Sequence, residues 1–230
     1  MPRWRPAGVR DALVVVLTVT TGAVDAASFL ALGNVFSSVI TGNMVLLGVS
    51  AGTGSGRLAL HAGVALAGYS AGVLAGAPVA AQRAGRATWP ASVTITLAVE
   101  LCILVAFSIG WELTGGHPRG GLQLILLVTL AISMGLQSAA VRQLGQMSTT
   151  YLTSTLTGVL AGLVTGGKIE ARSRSLGVLA AIIVGAVAGA VAANTGPGWL
   201  PLAILIPLAV VIVTSVVRFE SVREGLAADG

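Results

Sequence analysis

The chain contains little charge: only 9% of its 230 residues are Asp, Glu, Lys or Arg, against about 25% in a typical soluble domain. This scarcity, together with a hydrophobic share of 55%, excludes an ordinary soluble domain and predicts an integral membrane protein. The net charge of +5 does not indicate a nucleic-acid-binding protein, because the basic residues lie in short loops and at the ends, not in an aromatic-laced patch.

The chain also lacks the residues of the common chemical sites. Its single cysteine, Cys102, excludes a disulfide framework and a cysteine metal cluster, and we expect a small buried hydrophobe there. His61 and His117 form no paired metal-binding motif, and we expect each at the membrane interface. No Ser-His-acid arrangement, GxGxxG loop or P-loop is present. We therefore expect no enzyme activity, no metal and no cofactor.

Six apolar segments are each long enough to cross a bilayer as a helix, which takes about 20 residues. They run over residues 13–32, 58–80, 90–111, 122–141, 176–193 and 200–217. The charged start and apolar run at the N-terminus resemble a signal peptide, but the run continues past Asp25, so we interpret it as an uncleaved first helix. The sequence predicts an all-α membrane protein of one domain, residues 1–230, with a short polar tail over 219–230.

The two halves of the chain repeat weakly. A shift of 112 residues places Asp25 on Gln137 and Thr41 on Thr153. We therefore predict two repeats of three transmembrane helices each, over about residues 11–112 and 121–218.

A polar, glycine-broken stretch follows the first span of each repeat. These two stretches cover residues 39–54 and 151–166. Irregular backbone at membrane depth is tolerated where it lines a cavity or is buried in protein, not where it faces lipid. We expect each stretch to be a broken or re-entrant segment, and the two to meet near the middle of the membrane.

The placement of Lys and Arg bears on the orientation of the halves. If each broken stretch returns to its own side, 11 of the 13 basic residues lie in the cytoplasm, and Arg57 and Arg119 lie outside. The halves are then inverted. If each stretch crosses fully, the division is 10 to 3 and the halves are parallel. Polar breaks such as Asn34 favour the first alternative, with both termini on the cytoplasmic side of the cell membrane.

The first broken stretch carries the leading candidate for a substrate site. We interpret Thr41-Gly42-Asn43 as a turn in which Asn43 caps a helix running from Met44. The free N–H groups of such a helix start would suit an anionic or strongly hydrogen-bonding solute. The alternative is that these groups only cap a broken helix and bond to its neighbours. Matching hydroxyls in the second repeat are those of Thr153, Ser154 and Thr155.

Two acidic residues lie inside predicted spans, where a carboxylate costs several kcal/mol unless it is paired, protonated or hydrated. Asp25 is expected to bind a coupling proton or cation, or to accept a hydrogen bond from substrate; the alternative is a structural hydrogen bond. Its repeat mate, Gln137, joins the candidate substrate site. Glu100 is the second acid, and it either pairs with Arg142, is protonated or faces a pore.

Glycines recur at intervals of four along two spans. They are Gly68, Gly72 and Gly76 in one, and Gly185 and Gly189 in the other. Small residues at this spacing let membrane helices approach closely. We predict close contact within the molecule, with a contact between copies of the chain as the alternative.

The residues also resemble a known family. The order GAVDAASFLALGNVFSSVITGNMVLLG, followed by SMGLQSAAVRQLG and TTYLTSTLTGVLAGL, is similar to the YoaK-like family of bacterial membrane proteins. The resemblance runs from Asp11 to about Val217. Ser154 departs from the glycine that the family commonly shows there, which makes the second turn less flexible. The family is uncharacterised, so the resemblance implies a multi-pass membrane fold and no substrate.

Together these patterns predict a transporter or channel for a small polar or anionic solute, with proton coupling through Asp25 as one option. The alternative is a non-transporting assembly or regulatory subunit that binds a partner through its glycine-rich helix faces. The expected partners are the lipid bilayer, an unidentified small solute and, as an option, further copies of the chain. No nucleic acid is expected.

Overall fold

The computed structural model describes residues 6–81, 88–145, 152–165, 169–196 and 198–220. These residues form eight α-helices and no strand, as the composition predicts. In chain order they are α1 (Pro6–Ala31), α2 (Ile40–Thr53), α3 (Gly56–Ala81), α4 (Ala91–Leu113), α5 (Gly120–Arg142), α6 (Leu152–Thr165), α7 (Ile169–Thr195) and α8 (Trp199–Ser215). A π-helical turn, Val216–Glu220, extends α8.

Six of the described helices are long and apolar enough to cross a membrane, which confirms the predicted spans. They are α1, α3, α4, α5, α7 and α8 with its extension. The other two, α2 and α6, have 14 residues each. At 1.5 Å per residue each measures about 21 Å, less than the roughly 30 Å of a hydrocarbon core. These two short helices occupy the two stretches that the sequence marks as broken.

A shared cavity shows which helix ends lie together. Its lining includes the last turns of α1, α4 and α7, and the first turns of α3 and α5. We call this the Arg57 end, after a residue that lines the cavity. At the opposite end, Asp11 near the start of α1 pairs with Arg174 of α7. There, Thr94 at the start of α4 lies 3.1 Å from the Ser215 hydroxyl at the end of α8.

The long helices therefore run in two directions. α1, α4 and α7 run towards the Arg57 end, and α3, α5 and α8 run away from it. The two most extensive contacts are α1 with α7 and α3 with α5. α8 packs on α1 as α4 packs on α5, and α6 on α7 as α2 on α3. If each helix of the first half is replaced by its equivalent in the second half, α1 by α5 through α4 by α8, and the reverse, each of these contacts becomes another contact of the same set.

Glycine sets the close approach of the two main helix pairs. A methyl group built on Gly189 would lie 2.7 Å from the Cα of Ala23 in α1, and one on Gly72 would lie 2.9 Å from the carbonyl carbon of Ile132 in α5. Both distances are too short for a side chain, so the backbones touch directly, as small residues permit in membrane helices. The predicted intramolecular role of the glycine faces is confirmed.

The bundle is apolar on its surface as well as in its core. Leu17, Leu97 and Leu127 are fully buried, whereas Leu74 of α3 and Ile183 of α7 are largely exposed. A helix that is hydrophobic on all sides is typical of a membrane span, in which the outer face contacts lipid. The same pattern overturns one expectation: Cys102 is exposed on α4 and does not belong to the core.

Candidate functional site

Asp25 lies near the C-terminal end of α1, with its side chain buried. Its carboxylate binds the non-helical segment, residues 32–39, that joins α1 to α2. Oδ1 accepts hydrogen bonds from the backbone N–H of Ser37 at 2.9 Å and of Ser38 at 2.8 Å. Oδ2 accepts the Ser38 hydroxyl at 2.5 Å. Hydrogen bonds to a charged acceptor are stronger than neutral ones, so Asp25 fixes this segment firmly.

Asn43, on α2, binds the same segment from its other side. Its Nδ2 donates to the carbonyl of Phe36 at 2.6 Å, and its Oδ1 accepts the Phe36 N–H at 3.0 Å. The hydroxyls of Ser28 and Ser37 lie 2.5 Å apart and join the segment to α1 a second time. Asp25 and Asn43, on two different helices, thus satisfy backbone groups of residues that lie outside any helix, and Ser28 adds a contact between hydroxyls.

The course of the connecting segment is set by two residues in the left-handed region, Gly33 at φ 106° and Asn34 at φ 61°. They turn the chain back along α1, so that Ser38 reaches Asp25. Because Asp25 precedes the end of α1, α2 starts about 9 Å below that end, at 1.5 Å per helical residue. α2 is joined to α3 by Gly54 and Ser55 alone, and α3 starts at the Arg57 end.

The structure corrects the predicted turn at Thr41-Gly42-Asn43. These residues form the first turn of α2, which begins at Ile40, and Asn43 does not cap a helix starting at Met44. Thr41 is exposed, whereas Asn43 is fully buried. Because the Asn43 amide is engaged with Phe36, it closes the loop and leaves the helix start uncapped by any side chain.

Gln137 approaches this region from α5. Its Oε1 accepts the Thr21 hydroxyl at 2.8 Å, and Thr21 lies one helical turn before Asp25 on α1. The Gln137 Nε2 is buried and has no partner among the described residues. Buried amide groups are normally satisfied by protein or by water. Gln137 therefore offers one unused hydrogen-bond donor in the interior of the bundle, near the depth of Asp25.

Glu100 is fully buried in α4, and neither carboxylate oxygen has a hydrogen-bond partner among the described residues. The predicted ion pair with Arg142 does not form, since Arg142 is exposed at the end of α5. A long basic side chain at a helix end extends to the polar interface, and this draws it away from an acid in mid-span. The other two readings of Glu100, a neutral acid and a pore-facing carboxylate, stay predictions.

The second broken stretch differs from the first in the exposure of its predicted site residues. Thr153, Ser154 and Thr155 lie in the first turn of α6, and the first two are exposed. α6 packs on α7, and α2 packs on α3. The two short helices therefore do not pack extensively on each other, contrary to the prediction that they meet. Each short helix lies against the long helix that follows it in the chain. Tyr151 and Gly166 of this stretch fall outside the described ranges.

Two features of the site escaped the sequence analysis. Ser37 and Ser38 stand out as polar breaks, but their role as partners of Asp25 is not visible from spacing. His61 and Gln123 join helix ends: the ring nitrogen Nε2 of His61 lies 3.3 Å from Gln123 Oε1, and Gln123 Nε2 donates to the Ala31 carbonyl at 2.8 Å. His61 is buried and lies directly against Gly33. Its expected place at the membrane interface stays a prediction.

Comparison with known proteins gives one family. The family described as "Protein of unknown function (DUF1275)" matches residues 13–217. The UPF0700 transmembrane protein YoaK of Bacillus subtilis (strain 168) is 36% identical over 156 residues, which is 67% of this chain and 67% of that protein. No solved structure matches. The transmembrane relative and the six long apolar helices together identify an integral, multi-pass membrane protein.

Proposed function

Because the chain belongs to the DUF1275 family, a YoaK-like membrane family of unknown function, we propose its function from its own polar interior. We propose that it moves a small polar or anionic solute across the cytoplasmic membrane, as a transporter or channel. The observation that carries the proposal is the irregular segment 32–39, bound by Asp25 inside the bundle. Irregular backbone is tolerated at membrane depth where it is buried in protein or lines a water-filled cavity.

The directions of the helices support a design of two inverted repeats. The first spans of the two halves, α1 and α5, run in opposite directions, as do α3 and α7, and α4 and α8. Secondary transporters are commonly built from inverted repeats with broken helices at the substrate site. In this proposal the repeats are residues 11–112 and 121–218, and α2 is re-entrant. The end of α1 and the start of α3 lie together at the Arg57 end, which favours a returning α2 over a crossing one.

In the proposed mechanism Asp25 couples a proton to the position of the segment 32–39. The carboxylate holds the Ser37 and Ser38 N–H groups, and a proton on it would replace one acceptor lone pair with a donor. The hydrogen bonds that hold the segment would then weaken and allow it to move, and the buried amide of Gln137 and acid of Glu100 would line the path that opens. The reaction contains no chemical step, so the proposal assigns no catalytic residue, metal or cofactor.

Flux into liposomes tests the proposal. The purified chain is reconstituted, a pH gradient is imposed, and uptake is followed for a panel of labelled small anions and amino acids. Uptake of at least one solute is expected, and Asp25→Asn should abolish the pH-driven component while sparing binding. Asp11→Asn, an acid at the other end of α1, is the matched control. Uptake that Asp25→Asn leaves unchanged would remove Asp25 from coupling, and accumulation against a gradient would exclude a passive channel.

The alternative, an assembly or regulatory subunit, loses its proposed contact surface. The glycine faces that were to bind a partner are filled by the chain itself, Gly72 against α5 and Gly189 against α1. Solute binding separates the two functions, since a ligand that binds only the folded state raises its melting temperature. Stabilisation by a member of the anion and amino-acid panel supports transport. A complete absence of stabilisation, with a protein partner retained on purification, supports the subunit.

A further inference from the structure

Two adjoining cavities open at the Arg57 end, with volumes of about 530 Å³ and 350 Å³. Both are lined by Arg57, Arg119 and Gln123, so they form two parts of one basin. Volumes of this size accommodate small-molecule ligands. The basin lies at the mouth of the bundle, where α1 ends and the segment 32–39 turns inward.

The lining of this basin is positively charged. It includes both arginines and two histidines, His61 and His117, but no aspartate or glutamate. Glu112, an acid of the same end, lines a separate cavity on α4. A basin with unneutralised cations and apolar walls attracts anions and raises their local concentration.

The two guanidinium groups of the basin have no partner in the described part of the chain. Arg10 and Arg174, at the opposite end, are both paired with Asp11. No ion pair or side-chain hydrogen bond of the described residues involves the guanidinium of Arg57 or Arg119. Their donors are thus free to bind a ligand, and the arginine fork matches the oxygens of phosphate and carboxylate groups.

The backbone also contributes a positive electrostatic potential to the basin. Arg57 is in the first turn of α3, and Arg119 immediately precedes α5, so the N-terminal ends of two helices border the basin. Helix N-termini carry unsatisfied N–H groups and a partial positive charge. Gln123 fixes these elements together through its contact with His61 and its hydrogen bond to Ala31. The helix ends that carry the two arginines are therefore joined to one another.

We propose that this basin binds an oxyanion, a phosphate group in the first instance, through Arg57 and Arg119. The phosphate belongs either to a free solute or to the headgroup of an anionic phospholipid. Binding itself is independent of transport. A further step rests on the proposed function: the basin collects the transported solute, which implies that this solute is an anion.

Thermal melting of the purified full chain in neutral detergent tests the free-anion source. Inorganic phosphate is titrated against sodium chloride at constant ionic strength, and a saturable rise in melting temperature is expected. Because each substitution removes a charged donor at an exposed position, Arg57→Gln and Arg119→Gln should each weaken the apparent affinity several-fold, by roughly threefold to tenfold. Arg57→Lys, which keeps the positive charge, should lose less affinity for phosphate than Arg57→Gln. Arg218→Gln, an exposed arginine of the α8 extension, should change nothing.

Lipid bilayers test the headgroup source. The same variants are melted in nanodiscs of phosphatidylcholine with and without phosphatidylglycerol. Stabilisation by phosphatidylglycerol but not by free phosphate, lost in Arg57→Gln and Arg119→Gln, assigns the site to lipid. The proposal is overturned if neither probe stabilises the chain, or if both arginine variants respond as the parent protein does. Arginine-dependent binding without flux would refute only the transport function, and flux unaffected by both variants would refute only the collecting role.

Discussion

Replacing Asp25 with alanine removes the acceptor of three hydrogen bonds inside the membrane. The N–H groups of Ser37 and Ser38 and the Ser38 hydroxyl all point at this carboxylate, and both serines are buried. No helix provides these two N–H groups with another acceptor, because they lie between α1 and α2. Asp25→Ala therefore leaves them unsatisfied, whereas Asp25→Asn keeps an acceptor oxygen of the same shape.

The expected loss of unfolding free energy follows from the number of buried donors that are left without an acceptor. Each buried donor left without a partner costs about 1–3 kcal/mol, so two N–H groups give about 2–6 kcal/mol for Asp25→Ala. Asp25→Asn exchanges charged for neutral hydrogen bonds, and we expect it to lose about 1–2 kcal/mol. Asp11→Ala is the matched control: Asp11 forms its ion pairs at the helix end, where such pairs are worth about 0–1 kcal/mol.

Two measurements check this order. Unfolding in mixed micelles should rank the parent protein above Asp25→Asn, and Asp25→Asn above Asp25→Ala. Hydrogen exchange of the peptide containing residues 33–39 should accelerate strongly in Asp25→Ala and little in Asp11→Ala. Slow exchange in this peptide after loss of the carboxylate would show that Asp25 does not hold the segment, and the coupling mechanism would lose its basis.

Three further outcomes are expected. Gly72→Ala should lower the unfolding free energy by about 1–3 kcal/mol, because its methyl group meets the backbone of α5. Gly63→Ala on the same helix meets nothing within 4 Å and should be neutral or stabilising. Equal effects of the two substitutions would refute the close approach of α3 and α5. Glu100→Gln, which removes an unpartnered acid, should leave the unfolding free energy unchanged or raise it, and a loss above about 2 kcal/mol would reveal a partner for the carboxylate. In a background without the native cysteine, a cysteine at position Ser55 should react with an impermeant maleimide on intact cells and one at Ala84 should not; the reverse pattern would mean that α2 crosses the membrane.

The six spans are predictable from the sequence because each is an apolar run of membrane-spanning length. The two short helices are predictable in position, since glycine and polar residues interrupt the runs there. Cys102 shows where this fails: in a helix that is apolar on all sides, periodicity does not distinguish the face towards protein from the face towards lipid.

The atoms of the site are less predictable than its location. Asn43 stands before an apolar run, which is the pattern of a helix cap, yet α2 begins at Ile40 and Asn43 binds the backbone of Phe36, in the segment that reverses at Gly33 and Asn34. The partners of Asp25 depend on that reversal. The Glu100 pair fails for a similar reason: two charged residues on neighbouring helices meet only if their depths agree, and one sequence does not give relative depth.

The glycine contact between α1 and α7 has a consequence for synthesis. Gly22 and Gly185 are in direct contact but stand at opposite ends of the chain. At about 5–20 residues per second, a ribosome takes roughly 8–30 s to reach α7 after α1 has emerged. α3 and α5 meet much earlier. Throughout that interval the face of α1 that will contact α7 is exposed to lipid or to the insertion machinery. The first helix to be made is therefore among the last to be enclosed by the other helices.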